Sequence, residues 1–361
     1  MEIKKRGIML KRKLGIIFGT MFIFSLVSYI LIAAFGRKTV VYGQEEEETV
    51  LTSFYPVFII TRNLTQGVEG LKVANLTENH TGCLHDYQLT TKDMLLLETA
   101  DLLVINGGGM ELFIGQATKK LTGLTVIDSC TGMELLAGAG HDHNHGEDSV
   151  HDHFEDEPEN SGLSHEAGEP ENPGQNHDTA ESEDSVKNHD EESEENGHVW
   201  MDMERYQMQI HTIADGLCKA FPGQESSIRA NELFYSEKVA ALLAEYKELE
   251  ETLSGLAVVT FHDAFVYLCD GFGMEVVHSL DMDADSALSA GELAELTDEI
   301  RLHGVRYLLV EKENGDIAEQ IAQETGCSVL CLDPLTSGAD EVDAYLAAMR
   351  ENLEKLKSIP H

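Results

Sequence analysis

Residues 224–253 read QESSIRANELFYSEKVAALLAEYKELEETL, and after Ser254-Gly255-Leu256, residues 257–261 read AVVTF. In the first stretch Leu233, Val239, Leu242, Leu243, Tyr246, Leu249 and Leu253 recur at spacings that average close to a helical turn. That periodicity predicts one long amphipathic helix over Gln224–Leu253. The second stretch, Ala257–Phe261, is a short β-branched run and predicts a strand. Toward the C-terminus the strand–helix rhythm continues, with strands expected at Glu275–Ser279, Tyr307–Val310 and Ser328–Leu332. Toward the N-terminus it is found at Thr49–Phe54, Leu71–Leu76, Leu102–Ile105 and Leu124–Ile127. Helical stretches Thr91–Ala100 and Glu111–Leu121 separate these runs, and Met203–Ala220 reads as a helix before the long one. Such alternation predicts parallel sheets with crossover helices. The expected fold class is α/β, with two similar lobes of parallel sheet and flanking helices joined by the long helix.

The chain has 361 residues, enough for two domains of roughly 150 residues each. Hydrophobic residues make up 42% of it, so apolar material suffices for a core in each lobe. The formal net charge is −40, a field that repels nucleic acid and anionic lipid and attracts cations. Metal or cationic partners are expected, and DNA or RNA is not. Lys4, Lys5, Arg6, Lys11, Arg12 and Lys13 precede an apolar run from Leu14 to Gly36, the pattern of an export signal. The run is longer than the usual apolar core of a signal, so a cleaved signal and a retained membrane anchor are both open. Val41-Tyr42-Gly43 offers a small-residue cleavage site, and Gln44 onward is expected outside the cytoplasmic membrane. Six cysteines (Cys83, Cys130, Cys218, Cys269, Cys327, Cys331) include no CxxC pair and read as scattered thiols.

Residues 141–196 break the surrounding pattern. They hold eight of the sixteen histidines (His141, His143, His145, His151, His153, His165, His177 and His189) and twenty Asp or Glu against the single Lys187. A segment with so little apolar surface cannot offset the entropy of ordering, which predicts a disordered insertion. Its clusters His141-Asp142-His143-Asn144-His145 and His151-Asp152-His153 are expected to chelate metal more weakly than a fixed site, because binding must also order the chain.

Open parallel sheets place ligand sites beyond the carboxyl ends of their strands. His85 lies in the loop after the Leu71–Leu76 strand, and His198 closes the insertion. His262 directly follows Ala257–Phe261, and Asp333 directly follows Ser328–Leu332. Each lobe thus supplies two of the four, and together they predict a site between the lobes. Three imidazoles and one carboxylate suit Zn²⁺ in tetrahedral geometry. His80, His211, His278, His303 and His361 lack such placement, and Asp93, Asp101 and Asp281 read as cap or loop residues.

Several of these residues carry a family resemblance. His85-Asp86-Tyr87, followed by residues 98–111 (Glu98 through Asn106-Gly107-Gly108-Gly109-Met110-Glu111), resembles the first lobe of metal-specific ABC-transporter solute-binding proteins. Gly197-His198-Val199-Trp200-Met201-Asp202, Phe261-His262-Asp263-Ala264-Phe265-Val266-Tyr267-Leu268 and Leu332-Asp333-Pro334-Leu335 are similar to the family's later motifs. The likeness runs from about Thr49 to the C-terminus, in the family's order. The zinc-specific, ZnuA-type branch also tends to carry a His- and acid-rich insertion before the second motif. The resemblance implies a two-lobed fold with a rigid linking helix and a metal cleft, and a carrier that hands Zn²⁺ to an ABC permease. Manganese-binding relatives place a carboxylate where this chain has His262, so His262 points to zinc. Two departures are Gly197, where an acidic residue or proline is usual before the histidine, and Lys312, where a proline often follows the residue at Glu311.

The domain organisation expected is a signal or anchor over 1–43, a first lobe over 44–223 with the insertion at 141–196, a linking helix over 224–254, and a second lobe over 255–361. The protein is expected to be a monomer. The alternatives are a manganese or other transition-metal binder of the same type, or, in a different class, a zinc-dependent surface hydrolase or adhesin. Neither HExxH nor GxSxG occurs, although Asp263 or Glu111 is available as a base for a hydrolase.

Overall fold

A computed structural model describes residues 47–78, 82, 84, 87–118, 121, 123–138, 195–280 and 288–360. His85, the histidines of residues 141–189, Asp281 and the N-terminal basic and apolar run lie outside the described residues. No helix among the described residues is long and apolar enough to cross a membrane. The chain divides into two compact units, Met1–Glu48 with Glu69–Lys72, and Thr49–Val68 with Val73–His361. In the first, the Glu48 amide donates to the Gly70 carbonyl at 2.8 Å. The second holds what is described below from Thr49 onward, apart from Glu69–Lys72.

The strands are β1 Glu48–Thr52, β2 Leu71–Asn75, β3 Leu102–Ile105, β4 Thr125–Asp128, β5 Leu136–Ala137, β6 Glu195–Asn196, β7 Ala257–Thr260, β8 Glu275–Ser279, β9 Tyr307–Val310 and β10 Ser328–Cys331. They form two four-stranded sheets, in the orders β2-β1-β3-β4 and β10-β9-β7-β8, and a two-stranded antiparallel pair β5-β6. The pairings β1–β3, β3–β4, β7–β8, β7–β9 and β9–β10 are all parallel. Segments such as Leu102–Ile105 and Tyr307–Val310 are apolar on both faces because helices cover both sides of a parallel sheet. Each sheet has its own core. Leu51, Leu76, Leu97, Leu103 and Ile114 pack together in the first lobe, and Val259, Phe261, Leu296, Ile300, Leu308 and Ile321 in the second.

The long helix spans Glu225–Leu253. It packs on the helices Tyr55–Leu64 and Met203–Ala220 and also on Ala264–Phe272 and Ala344–Leu356, so it joins both lobes. Its inward residues are Ile228, Tyr235, Val239, Leu242, Tyr246 and Leu253. Leu233, expected on that face, is instead 64% exposed; Tyr235 takes the inner position and bonds the Tyr206 hydroxyl at 2.9 Å. Tyr206 in turn stacks on Tyr345 at 3.6 Å between ring centroids. Between the lobes, Asn63 Nδ2 donates to the Val342 carbonyl at 2.7 Å, and from the long helix Tyr246 Oη donates to the Met349 carbonyl at 2.6 Å.

A second expectation also changes. Glu111–Leu121 was expected to be one helix, but among the described residues only Gly115–Thr118 is helical. Gly107, Gly108 and Gly109 all hold positive φ (85°, 60° and 82°), and the chain runs on from them in turns. Glu111 is withdrawn from a helix face by its own side chain. Its buried carboxylate accepts from Ser53 Oγ (2.7 Å), the Asn106 amide (2.7 Å) and the Gly107 amide (3.0 Å).

Candidate metal centre

His198 sits where the chain leaves β6 and enters a single 3-10 turn, Val199–Met201. It is 1% exposed. Its ring Nδ1 lies 2.8 Å from Asn196 Oδ1, and its backbone amide donates to that same oxygen at 3.0 Å. Gly197 is required here by space. A Cβ at that position would lie 2.4 Å from Met110 Cγ and 2.6 Å from the Gly108 carbonyl oxygen. The departure at Gly197 therefore follows from the close approach of the Gly107–Met110 turn. That approach is sealed by Asn106 Nδ2, which donates to the Gly197 carbonyl at 2.8 Å.

Trp200, fully buried, ties this turn to the second lobe. Its Nε1 donates to the Pro334 carbonyl at 2.8 Å, and its own carbonyl accepts from the Tyr345 hydroxyl at 2.8 Å. The indole packs edge-on against Phe54 at 5.1 Å and beside the His198 ring at 5.0 Å.

His262 follows β7 and precedes the helix Ala264–Phe272. It is 4% exposed, and its ring stands 5.0 Å from that of His198 at an interplanar angle of 83°. Its neighbour Asp263 is fixed from two directions, accepting from Ser279 Oγ at 2.7 Å and, through its carbonyl, from Asn196 Nδ2 at 2.9 Å. Glu311, which directly follows β9, brings Oε2 to 3.6 Å from His262 Nδ1. Sequence reading gave Glu311 no role. The available signal was its place at a strand end, the same criterion that singled out His262 and Asp333.

Asp333 begins the loop after β10. Its Oδ1 accepts from the Leu335 amide at 2.8 Å, and its backbone amide and carbonyl both bond the Asn352 side chain at 2.8 Å. Leu335 pays for that tight turn with φ 58°, a left-handed conformation that disfavours a branched side chain. Partial burial pushes the Asp333 carboxyl above its ordinary range, and the Leu335 amide opposes that shift. Burial pushes Glu111 further, to about 7, against the pull of its three hydrogen-bond donors. Glu111 is thus a structural acid under the first-lobe loops.

The structure brings His198 and His262 together, with Glu311 beside them. Among the described residues no group of three or more His, Cys, Asp or Glu is gathered to hold a metal. Asp333 stands next to Pro334, the residue that receives the Trp200 indole, and His85 lies outside the described residues. Of the histidines set aside on sequence, His211 pairs with Glu232 at 2.8 Å and His278 with Glu299 at 2.8 Å. Asp93 closes a capping box with Thr90, and Asp101 accepts from the Thr49 amide at 2.7 Å, as their cap and loop reading expects. Five described cysteines are free thiols, of which Cys130, Cys218 and Cys269 are buried and Cys331 is exposed.

Two buried imidazoles held face to edge between parallel-sheet lobes offer the type of nitrogen ligand that a borderline-soft cation takes. The family of the periplasmic zinc-uptake complex component A, ZnuA, matches residues 50–359. The chain belongs to this family. Zinc-binding protein AdcA of Streptococcus pyogenes serotype M3 is 29% identical over 321 residues, 87% of this chain and 56% of its own length. Zinc-binding lipoprotein AdcA of Streptococcus pneumoniae serotype 4 is 25% identical over 346 residues, 92% of this chain and 59% of its own. The chain thus spans a little over half the length of these curated relatives. Among solved structures, the Zn(II)-bound ZnuA-like domain of S. pneumoniae AdcA matches with TM-score 0.61 and 22% identity, covering 86% of this chain and 98% of that domain. The solute-binding protein FpvC of Pseudomonas aeruginosa, in complex with Ni²⁺, matches with TM-score 0.65 and 18% identity over 87% and 99% of the two chains. Both likenesses bear on the fold, and they agree with the two-lobed α/β architecture of the family.

Proposed function

We propose that this protein captures Zn²⁺ outside the cytoplasmic membrane and delivers it to an ABC-type permease for uptake. The observation that carries the reading is the buried His198–His262 pair, one ring from each lobe at 5.0 Å, in a chain of the zinc-uptake family. The full ligand set proposed is His85, His198, His262 and Asp333. Four protein donors leave no open coordination position for a reacting water, which suits a carrier and not a hydrolase. The replacement of a carboxylate by the His262 imidazole favours zinc over manganese. The weaker sites assigned to His141, His143, His145, His151 and His153 would collect metal without holding it tightly. The residue ranges proposed are a signal or anchor over 1–43, lobes over 44–223 and 255–361, and a linker over 224–254, in a monomer.

Capture would draw on the chain's formal charge of −40, which concentrates cations around it. The test is zinc binding measured by competition with a chromogenic chelator. The parent protein should hold one ion tightly, and changing His85, His198 and His262 together to Ala should abolish that site. Because the Trp200 ring lies 5.0 Å from the His198 ring, zinc should also change the emission of the chain's only tryptophan. Tight binding that survives the triple change overturns the reading.

A further inference from the structure

Asn196 touches both ligand loops with a single side chain. Its amide orientation is decided by backbone groups whose roles are fixed. The His198 backbone amide can only donate, so the atom it meets at 3.0 Å is the side-chain oxygen. The Asp263 carbonyl can only accept, so the atom it meets at 2.9 Å is the side-chain nitrogen. It follows that His198 Nδ1, 2.8 Å from that same oxygen, carries the ring proton. The lone pair then resides on Nε2, the nitrogen through which this tautomer coordinates a cation.

The amide is also hard to displace. Asn196 is 3% exposed and pairs with Leu136 in the β5–β6 ladder. Its carbonyl accepts from the Tyr267 hydroxyl at 2.6 Å, and the same hydroxyl accepts from the Leu136 amide at 3.0 Å. Tyr267 belongs to the second-lobe helix that starts just after His262. Asn196 is therefore pinned by its main chain and by its side chain to the loop and helix that carry the opposite ligand.

We infer that Asn196 is a positioning residue for metal capture: its Oδ1 fixes His198 as the tautomer that coordinates through Nε2, and its Nδ2 couples that ligand to the His262-Asp263 loop across the lobes. The inference rests on the proposed reading of His198 and His262 as metal ligands. It assigns this residue, a neutral amide, the second hydrogen bond that an imidazole ligand needs to be oriented.

The two functions of the amide separate by substitution. Asn196→Ala removes both hydrogen bonds. Asn196→Asp keeps the acceptor for His198 and replaces the donor to the Asp263 carbonyl with an oxygen that repels it. Zinc affinity by chelator competition, the visible spectrum of the Co²⁺-loaded full chain and the melting of the metal-free protein would be compared, with His198→Ala as the reference. Asn196→Ala should weaken zinc by about 10- to 100-fold and shift the Co²⁺ bands, with the metal-free melt within a few degrees of the parent. Asn196→Asp should recover most of the affinity and the parent-like Co²⁺ bands while slowing capture in stopped-flow mixing. Parent-like zinc affinity in Asn196→Ala, with binding lost in His198→Ala, overturns the role of Asn196 and leaves the metal site intact. Equal loss in both Asn196 variants together with a lowered melt also overturns it, because the residue then only supports the fold. If His198→Ala itself binds zinc like the parent, the ligand reading fails first.

Discussion

In the first lobe β1 lies between β2 and β3, with β4 beyond β3; in the second, β7 lies between β8 and β9, with β10 beyond β9. The registers also correspond, since Thr52 pairs with Val104 as Thr260 pairs with Leu309. The bonds just past the strand ends repeat too. Ser53 donates to Val104 as Phe261 does to Leu309, and Ser129 donates to Ile105 as Leu332 does to Val310. One residue further on, Phe54 therefore matches His262, Asn106 matches Glu311, and Cys130 matches Asp333. The first lobe spends these positions on packing. Phe54 meets the Trp200 indole, Asn106 bonds Gly107, Gly197 and Gln209, and burial pushes the Cys130 thiol well up. In the second lobe the same positions carry an imidazole and two carboxylates. His198, a proposed first-lobe ligand, arrives instead on a segment between β4 and the helix Met203–Ala220. One backbone geometry thus carries packing residues at these positions on one side and, on the other, His262, Glu311 and Asp333, of which His262 and Asp333 are in the proposed ligand set.

The sharpest way to break this contrast is to truncate equivalent residues. His262→Ala should weaken zinc by about 100-fold or more, since total zinc binding energies of about 10–16 kcal/mol divide among four donors. Phe54→Leu should leave zinc affinity within about threefold and lower the stability of the metal-free protein by about 1–2 kcal/mol. Chelator competition and denaturant titration read the two effects. Comparable affinity losses in both variants would erase the distinction between ligating and packing lobes.

Trp200 is where the first lobe reaches the second. Trp200→Phe keeps an aromatic ring against Phe54 and removes the donor to the Pro334 carbonyl, leaving that buried oxygen unpaired. A loss of about 2 kcal/mol in stability is expected from the orphaned acceptor and the smaller ring. Denaturant titration followed by circular dichroism measures it, because the variant has no tryptophan emission. A cost near zero would mean the indole bond contributes nothing to joining the lobes.

Glu111 tests the scaffold half alone. Its folded-state pKa is raised to about 7 from 4.5 because burial disfavours the carboxylate. The folded protein therefore binds this proton more tightly than the unfolded chain. Its contribution favours folding below about 4.5 and is lost as pH rises to about 7, at about 1.4 kcal/mol per pH unit inside that window. Glu111→Gln should flatten this part of the stability–pH curve, and the difference between parent and variant melts at pH 5 and pH 7.5 isolates it. An unchanged curve would place the Glu111 carboxyl in an ordinary, solvated state.

The sequence periodicity located the eight strands of the two parallel sheets to within a residue or two, because parallel strands covered on both faces leave short, near-continuous apolar runs. It missed the β5–β6 pair, and Glu195–Asn196, expected at the end of a disordered insertion, is instead a strand held by Leu136–Ala137. The helix Met203–Ala220 and the long helix also fall where the pattern placed them, yet Leu233 points outward. Helical spacing cannot choose between adjacent stripes when a tyrosine can fill the inner one and hydrogen-bond there. Glu111–Leu121 misled for a related reason. Its composition suits a helix, but three glycines at positive φ and a carboxylate turned back onto two amides hold it in turns. The placement of His262 beyond β7 was legible because a strand end is a local feature. The partnership of Asn196 with His198 and Asp263 was not, because it exists only after a hairpin stem and the opposite lobe have met.

Glu311 is the finest probe of the contrast, since its first-lobe counterpart Asn106 is a buried hydrogen-bond hub. Its carboxylate lies 3.6 Å from His262 Nδ1, beyond direct hydrogen-bond length in this structure, and its side chain is 15% exposed. Asn314 Nδ2 donates to its other oxygen at 3.3 Å, a long bond that leaves room for the carboxylate to move. A protonated His262 Nδ1 paired with this carboxylate would orient the ring for coordination through Nε2 and strengthen it as a donor. Glu311→Gln keeps the shape and removes the charge, so zinc affinity should fall by less than about tenfold. The metal-free fold should be unaffected, in contrast to Asn106→Ala, which should destabilise it by removing the buried bonds that Asn106 makes to the Gly197 carbonyl and to the Gln209 amide. If Glu311→Gln costs stability and not affinity, Glu311 is a scaffold residue like Asn106, and the two lobes are alike at this strand end.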